Sequence, residues 1–574
     1  MSSLRRLALL GGCCVGAAHA QVTPPPTFVP TPAVVPNPSE LVPKATPPTT
    51  DADLVAPPRE PARVPREVGK PDDEMKLDVK AYAVSPDAPA ALKAALPALT
   101  ASFTGPGRSF EDLVNASAEV TRFLQRDLGY YLGYAYIPEQ DMKDGVVRIG
   151  VLEGRLDRVE LNWTEGLPVD RAVVQAYLDR LKPGDILTVR DIERVVFLLN
   201  DLRGISVRAE VRAGSRPGTA IVAFTPKADN RITGKLDFDL NGSRHIGLAR
   251  LGALVSVNSP TGAGDGLTAT ALASTTGGLG FALAAYTRPI GSNGLKVGAS
   301  VFGTKYKLDS NDFPLGYKGH SSALNAFALY PWVRSRNLNL FTIGAVDYKS
   351  YVDSVASLVT RKHVSVGNIG VTGDFRDSVL KGGVNTFEVG VAHGNIGYDG
   401  GAPTGIDDAP SYTKVNFAFS RLQDIITGRV MGYLAVNGQY ALRNLDTTEQ
   451  FRAGGPDAVR AFAPGEGTGD SGAVMSAELR VLPTPELMGK YAREFVFGAF
   501  VDAAAIQLRH DPNLLPRETT YRNRLTYSGV GVSAVWQRPG VAGARMSLAW
   551  PVHGTSTSDE QRKPRLYLQA SYQF

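Results

Sequence analysis

The stretch Arg565-Leu-Tyr-Leu-Gln-Ala-Ser-Tyr-Gln-Phe574 alternates between the two faces of an extended strand. One face carries Leu566, Leu568, Ala570, Tyr572 and Phe574, whereas the other face is mostly polar. Roughly the last 340 residues repeat this style, with alternating stretches of about 10 to 15 residues separated by Gly, Pro, Asp and Asn clusters. This repetition predicts a transmembrane β-barrel, and we expect Tyr572 and Phe574 to form its C-terminal barrel-assembly signal.

The composition favours the same fold. The 574 residues include 60 Gly, 21 Tyr and 22 Phe, and no run of about 18 consecutive apolar residues is present from which a membrane-spanning helix could form. Only closed strands could therefore cross a bilayer, because a barrel pairs every backbone polar group without leaving an edge. The formal net charge of +5 is too small over this length to indicate a nucleic-acid partner.

Residues 1–20 are predicted to be a signal peptide. Arg5 and Arg6 precede the apolar run 7–18, and Ala18-His19-Ala20 is a small-x-small cleavage site, so the mature chain is expected to begin at Gln21. An alternative is a lipoprotein cleaved before Cys13. In the first case both cysteines, Cys13 and Cys14, leave with the signal peptide, and the mature chain carries no thiol.

Residues 21–73 hold 15 of the 39 prolines and show no helical apolar period. Such a segment is predicted to be an extended linker. It is long enough to thread a pore, although a passive tether is the simpler interpretation.

Two small α/β units follow, over residues 74–154 and 155–230. Each is predicted to contain one strand, two helices and two further strands, and the first strand is expected from Met75 to Val84. Ser109 with Asp112 and Thr188 with Asp191 have the spacing of capping boxes at helix starts.

From residue 231 to residue 574 the pattern predicts a barrel of 16 antiparallel strands, an even number as in single-chain outer-membrane barrels. Short connections alternate with long ones, which places the loop 444–470 on the cell-surface side. The predicted strands are 232–242, 247–258, 265–275, 278–288, 294–308, 319–333, 337–351, 361–375, 382–398, 411–422, 428–443, 471–483, 493–509, 523–537, 541–551 and 565–574.

The loop 444–470 contains Phe451-Arg-Ala-Gly-Gly-Pro-Asp-Ala-Val-Arg-Ala-Phe462, followed by Gly469-Asp470-Ser-Gly. It resembles the sixth-loop signature of the two-partner secretion (TpsB) transporters, the hemolysin/hemagglutinin secretion-activation family. The signature residues are Gly454, Gly455, Pro456, Val459, Phe462, Gly469 and Asp470. The α/β units resemble that family's polypeptide-transport-associated (POTRA) domains through Gly133-Tyr-Ala-Tyr-Ile-Pro138 in the first and Leu199-Asn200-Asp201 in the second.

The resemblance implies that the loop folds into the lumen, where Arg460 meets an Asp on the thirteenth strand. The candidate is Asp502, because alternation along 495–502 directs Phe497 and Val501 to lipid but Phe500 and Asp502 to the lumen. A bidentate pair of Arg460 and Asp502 is expected to lock the loop to the barrel wall.

Two features depart from the family pattern. Ala461 stands where Gly is usual, which leaves the geometry of the loop tip open. Many family members carry a pore-plugging helix before the first POTRA domain, whereas residues 21–73 lack a helical period, so the plug is either absent or replaced by the proline-rich segment in extended form.

The implied function is secretion of one large partner exoprotein, an adhesin, cytolysin or similar, across the outer membrane of a Gram-negative cell, with the POTRA domains in the periplasm. Expected partners are this unfolded client, outer-membrane lipid and the barrel-assembly machinery during biogenesis, but no nucleic acid. The alternative is an outer-membrane protein assembly or insertion factor, although such factors usually carry three or more POTRA units.

The sequence offers no catalytic chemistry. The histidines are scattered singly without metal-ligand spacing, and we find neither a phosphate-binding loop nor a Gly-x-Ser-x-Gly elbow. We therefore expect no catalytic residues, no metal and no cofactor, and we do not expect an enzyme.

Overall fold

The computed structural model describes residues 35–36, 41, 76–142, 144–400, 408–512, 522–556 and 564–574. The predicted signal peptide lies outside the described residues, as does the proline-rich segment apart from residues 35, 36 and 41.

The first α/β unit packs two helices on a small sheet. The elements are β1 Leu77–Val79, β2 Ala81–Val84, α1 Ala90–Thr100, β3 Gly105–Arg108, α2 Phe110–Arg126, β4 Tyr134–Tyr136 and β5 Val146–Leu152. The sheet has the order β2-β5-β4, while β1 pairs separately with β3. The buried core includes Leu92, Leu113, Val120, Leu124 and Ile149.

The capping box at Ser109 is confirmed, because the Ser109 side chain accepts from Asp112 N and the Asp112 carboxylate accepts from Ser109 N. The single strand expected from Met75 to Val84 is wrong. It is divided at Lys80, whose N–H donates to the Gly145 carbonyl oxygen at 2.8 Å. Its first half pairs with β3. The sequence did not predict β3, because its Gly-Pro-Gly run usually marks a turn.

The second α/β unit repeats this plan with the sheet order β6-β8-β7. Thr188 caps α4 by accepting from Asp191 N at 3.1 Å, and the apolar face of α4 covers the sheet with Ile192, Val195, Val196 and Leu199. The elements are β6 Arg155–Leu161, α3 Arg171–Leu178, α4 Val189–Asn200, β7 Ile205–Ala213 and β8 Thr219–Ala228.

Sixteen antiparallel strands then close into one barrel, in which the last strand pairs with the first. All sixteen predicted strands are confirmed, with ends that differ by at most four residues. The strands are β9 Ile232–Asp239, β10 Arg250–Asn258, β11 Gly266–Ser274, β12 Leu279–Ile290, β13 Leu295–Lys307, β14 Lys318–Arg334, β15 Leu338–Val355, β16 Leu358–Asp377, β17 Gly383–Tyr398, β18 Ser411–Ile426, β19 Val430–Ala441, β22 Ser471–Val481, β23 Phe495–Gln507, β24 Arg524–Arg538, β25 Ala542–His553 and β26 Arg565–Gln573. Two short strands, β20 Phe451–Arg452 and β21 Thr468–Gly469, lie in the loop between β19 and β22.

Alternate residues of the wall point outward and are apolar, as a lipid-facing surface requires. Val301, Leu324, Val346, Ile369 and Val501 are examples, each more than half exposed. None of the described helices is both long and apolar enough to cross a membrane.

The second α/β unit is docked on one end of the barrel, which we call the near end. Arg334 of β14 donates from Nη2 to Asp201 Oδ1 at 2.8 Å and from Nε to Oδ2 at 3.1 Å, and both side chains are buried. Lys296 Nζ donates to the Asp201 carbonyl oxygen at 2.8 Å, and the turn after β10 accepts through Gly262 O from Asp170 N. Asp201 of the Leu-Asn-Asp motif therefore contributes to the attachment of the unit to the barrel.

The loop inside the barrel as candidate functional site

Residues 444–470 leave the far end of the wall after β19 and fold back into the lumen. The ribbon formed by β20 and β21 closes the loop on itself. We call residues 442–450 the loop base and residues 453–467 the loop tip. One buried cluster joins the tip to the wall, with Ala453, Val459, Ala461 and Phe462 from the tip and Val474, Phe500, Ala504, Ile506, Tyr527 and Ala549 from the wall.

The structure brings Arg460 and Asp502 into direct contact. Arg460 donates from Nε to Asp502 Oδ2 at 2.9 Å, from Nη2 to Oδ1 at 2.8 Å, and from its backbone N to Oδ2 at 3.1 Å. Asp502 is fully buried, and its neighbours Phe497 and Val501 are exposed on the outer face. The alternation predicted for β23 therefore holds, and the two side chains form a bidentate pair.

The surroundings of the pair orient its two side chains. Ser476 Oγ donates to Asp502 Oδ1 at 2.8 Å and accepts from Arg460 Nη2 at 3.0 Å. The guanidinium carbon of Arg460 lies 3.2 Å from the centroid of the Phe500 ring, and its Nη1 lies 3.8 Å from Glu478 Oε2. Arg460 is thus held between two carboxylates and an aromatic face, an arrangement that fixes its geometry more than it stabilises the fold.

The glycines of the signature allow the tip to fold tightly. A Cβ on Gly454 would lie 2.3 Å from the Ala463 carbonyl oxygen, and one on Gly469 would lie 2.5 Å from the Gln507 carbonyl oxygen. Gly455 has a φ of 135°, a backbone conformation that side-chain-bearing residues rarely adopt. Pro456 lies half-buried beside it.

Two further signature residues, Phe462 and Asp470, are fixed by contacts outside the loop tip. The Phe462 carbonyl oxygen accepts from the Tyr567 hydroxyl at 2.7 Å, and its ring meets that of Tyr527 edge-on at 4.9 Å. Asp470 accepts from the backbone N of Leu445 at 3.1 Å and of His510 at 2.9 Å. The Phe462 contacts connect the tip to the wall strands β26 and β24, and the Asp470 contacts connect the end of the loop to its own base and to the loop that follows β23.

Ala461 is accommodated by a glycine in the part of the wall on which the tip is docked. A Cβ on Gly529 of β24 would lie 2.5 Å from Ala461 Cβ, and the φ of Ala461 lies outside the left-handed region. The usual glycine is therefore not required here, because the wall supplies the missing space.

We predict that Gly529→Ala displaces the loop tip, because its new methyl group and that of Ala461 would occupy the same volume. Overpacking of this kind costs about 1 to 3 kcal/mol. The double variant Gly529→Ala/Ala461→Gly should recover most of the loss. Limited proteolysis of the loop in folded protein measures the effect, and a double variant as sensitive as Gly529→Ala would contradict this account.

A second ionic cluster at the loop base was missed by sequence reasoning. Lys362 Nζ donates to Asp446 Oδ2 at 2.7 Å, while Lys349 and Lys414 lie 2.9 and 3.0 Å from the Glu449 carboxylate. All five side chains are buried. Burial opposes ionisation of Glu449, but Lys349 and Lys414 outweigh it and lower its pKa to about 2.

The cluster extends to a fourth cation, Arg509. Its Nη1 lies 2.8 Å from Asp408 Oδ1 and 3.8 Å from Asp470 Oδ1. Burial and the nearby Asp446 raise the pKa of Asp408 to about 6, despite Arg509. The loop base is thus connected to the strands β15, β16 and β18 and to both adjacent loops. One sequence feature could have predicted this cluster. Alternation along the strands directs Lys349, Lys362 and Lys414 inward, where they need anionic partners.

Part of the proline-rich segment lies inside the barrel. Val35 is only 4 % exposed and packs with Ile246, Leu279, Tyr306 and Leu308. Leu41 packs against the lumenal cluster that contains Phe281, Leu283 and Phe302. Residues 35 and 41 therefore lie in the lumen, as one of the two alternatives expected. The extended form expected with it is wrong at Leu41, which is helical.

The C-terminal residues lie on the outer surface. Tyr572 and Phe574 are both more than half exposed. Phe574 exchanges two backbone hydrogen bonds with Gly234 of β9, at 2.8 and 3.0 Å, so the C-terminal end of the chain contributes to closing the barrel.

Within the described part of the chain, no group of three or more His, Cys, Asp or Glu residues could hold a metal ion. The polar atoms of the loop site are instead occupied by one another.

A closed wall with a docked internal loop, preceded by two α/β units of which the second is docked on its near end, is the architecture of outer-membrane barrels that handle polypeptides. The chain belongs to the haemolysin secretion/activation protein family ShlB/FhaC/HecB, which matches residues 218–509. A ShlB-type POTRA domain matches residues 86–154. The near end of the barrel is therefore periplasmic, and the far end faces the cell surface.

Similar proteins support this assignment. The heme/hemopexin transporter protein HuxB of Haemophilus influenzae strain 86-028NP is 24 % identical over 66 % of this chain and 67 % of its own length. The outer membrane transporter CdiB of Dickeya dadantii is 26 % identical over 67 % of this chain and 68 % of its own. The structure of CdiB from Escherichia coli has the same fold, with a TM-score of 0.68 at 19 % identity over 89 % of this chain and 93 % of that one.

The chain is therefore a two-partner secretion transporter of the outer membrane, which secretes a partner exoprotein. A structure of BamA from Haemophilus ducreyi lacking POTRA domains 1–3 shares the fold, with a TM-score of 0.50 at 14 % identity over 87 % of this chain and all of that one. The family match and the similarity to HuxB and CdiB favour secretion over the assembly-factor alternative.

Proposed function

We propose that the loop tip is the gate of this transporter and that Arg460 and Asp502 hold it closed until an unfolded client arrives. The supporting observation is the bidentate, buried contact between a residue of the loop and a residue of the wall. When the tip leaves, the lumen opens a path for an extended chain, since a 16-stranded barrel is wide enough for an aqueous channel.

The second POTRA domain is proposed to receive the client on the edge strand β7, Ile205–Ala213. Asn200 covers the start of this edge, because its side chain accepts from Val207 N and donates to Val207 O, each at 2.8 Å. Since backbone groups alternate along a strand, the N–H groups of Ala209 and Val211 point away from β8 in the same way. An extended client can add a strand there by β-augmentation.

We predict that Val211→Pro reduces client secretion several-fold, because proline removes an outward N–H yet is tolerated on an edge strand. Val211→Thr is the matched control, since it keeps the N–H and a β-branched side chain. Cells should express the full transporter with a large exoprotein that carries an N-terminal secretion domain, and surface exposure should be measured by protease shaving. Equal secretion by the two variants at equal barrel levels would refute reception at this edge, and secretion absent even from wild type would refute the choice of client class.

Transport in this proposal involves no catalysis, no cofactor and no nucleic acid. Folding of the client outside the cell, where it cannot slide back, supplies the driving force. The barrel-assembly machinery is expected to recognise Tyr572 and Phe574 during biogenesis. Outer-membrane lipid is expected to surround the exposed apolar face of the wall.

A further inference from the structure

Six basic side chains form a patch on the outer face of the barrel, at its cell-surface end. We call it the cationic patch, and it contains Lys305, Lys307, Lys318, His320, Arg361 and His363. They lie on three strands, β13, β14 and β16, and the first five are exposed while His363 has a side chain 43 % exposed.

The strand register places these side chains next to one another. Lys305 pairs with His320, and Lys307 pairs directly with Lys318. His320 in turn pairs with Val352, which pairs with Arg361, so one row crosses four strands. At about 4.8 Å between neighbouring strands, that row is roughly 14 Å long. A row of this length can contact a whole lipid headgroup.

Little of this positive charge is compensated by the part of the chain that the structure describes. Among the described residues, only His363 of the patch has a carboxylate within 4 Å, the exposed Asp399 at 3.9 Å. Like charges directly opposite each other destabilise a sheet, as for Lys307 and Lys318. An anion bound between them would remove that repulsion.

The height of the patch on the wall coincides with the membrane boundary. Leu295 begins β13 at the periplasmic end, and ten residues of a strand tilted by about 40° rise roughly 26 Å to Lys305, close to the ~25 Å height of the apolar band. Tyr348, half exposed just below the patch, stacks on His363 at 6.2 Å between ring centroids. Aromatic side chains commonly mark this boundary.

We infer that the cationic patch binds the phosphate groups of lipopolysaccharide in the outer leaflet. Guanidinium and ammonium groups form short charge-assisted hydrogen bonds with phosphate oxygens, and clusters of basic residues at a membrane surface recognise anionic headgroups. The lipid A part of lipopolysaccharide carries phosphates at the depth where these side chains lie.

The test uses purified full-length protein in neutral detergent, titrated with bis-phosphorylated lipid A, with the same lipid A lacking phosphates, and with phosphatidylglycerol. Bound lipid is counted by native mass spectrometry. Wild type should bind the phosphorylated lipid A roughly tenfold or more tightly than the dephosphorylated form, and more tightly than phosphatidylglycerol.

The variant Lys305→Gln/Lys307→Gln/Lys318→Gln/Arg361→Gln should lose this preference. A matched control removes four exposed cations at the periplasmic end, Lys381→Gln/Arg429→Gln/Lys490→Gln/Arg538→Gln, and should keep it. A third variant, Lys305→Arg/Lys307→Arg/Lys318→Arg, retains the charge and should also keep it. An unchanged preference in the first variant would overturn the inference, and so would equally tight binding of phosphatidylglycerol by wild type.

Discussion

Cells that produce Arg460→Ala or Asp502→Ala should insert normal amounts of barrel into the outer membrane but lose most secretion of the partner exoprotein. Arg460→Ala leaves the fully buried Asp502 without its cation, whereas Asp502→Ala leaves Arg460 with only Glu478, 3.8 Å away. Removing one partner of a buried pair costs about 3 to 5 kcal/mol, borne by the docked state of the loop, and we expect the larger cost for Arg460→Ala. The tip then loses its single docked position but stays tethered inside the lumen by the loop base, where it obstructs the client instead of moving aside in one defined step.

Two further variants distinguish the effect of losing the pair of Arg460 and Asp502 from the effect of any substitution in the loop. Asp457→Ala removes an exposed carboxylate from the same tip and should leave secretion unchanged. Arg460→Lys keeps the charge but loses the planar fork, so an intermediate loss is expected. Client at the cell surface is measured by protease shaving and normalised to folded barrel. Undiminished secretion by either alanine variant at normal barrel levels would end the gate proposal.

The barrel was predictable from the sequence because its physical cause is local. Each strand must alternate between lipid and lumen, so Phe497 and Val501 on one face and Phe500 and Asp502 on the other can be assigned without knowledge of their neighbours. The contact between Arg460 and Asp502 required more than alternation, namely the resemblance of the loop to a known signature.

Contacts across the lumen and between domains were not predictable in this way. Alternation directs Lys349 and Lys362 inward, but it carries no information on which loop returns to meet them. The contact made by Asp201 was unpredictable for the same reason. Its Leu-Asn-Asp motif resembles a POTRA domain, but nothing in the motif indicates that the carboxylate contacts Arg334 of the barrel. These partners are separated by 84 to 133 residues, beyond the reach of any local pattern.

The loop base and the loop tip are attached by different means, and this difference bears on how the gate opens. The tip is attached by one ion pair, Arg460 with Asp502, by an apolar contact and by hydrogen bonds such as that from Tyr567 to the Phe462 carbonyl oxygen. The base joins the wall through several buried ion pairs on three strands. Separating all of the base pairs would expose many charges in a confined space, so movement of the tip about a fixed base is the less costly opening.

Asp446→Ala should therefore destabilise the loop base strongly, because the Lys362 side chain is 0 % exposed and would lose its direct carboxylate partner. We expect a loss of about 3 to 5 kcal/mol in the docking of the base, whereas Asp446→Leu combined with Lys362→Met should cost far less, since both charges leave together. The measurement is proteolytic cleavage within residues 442–450 of the folded barrel, with Asp399→Ala, an exposed loop carboxylate, as the matched control. If the double variant is cleaved as fast as Asp446→Ala, the base is held by packing rather than by its ion pairs, and a fixed pivot for the gate loses its physical basis.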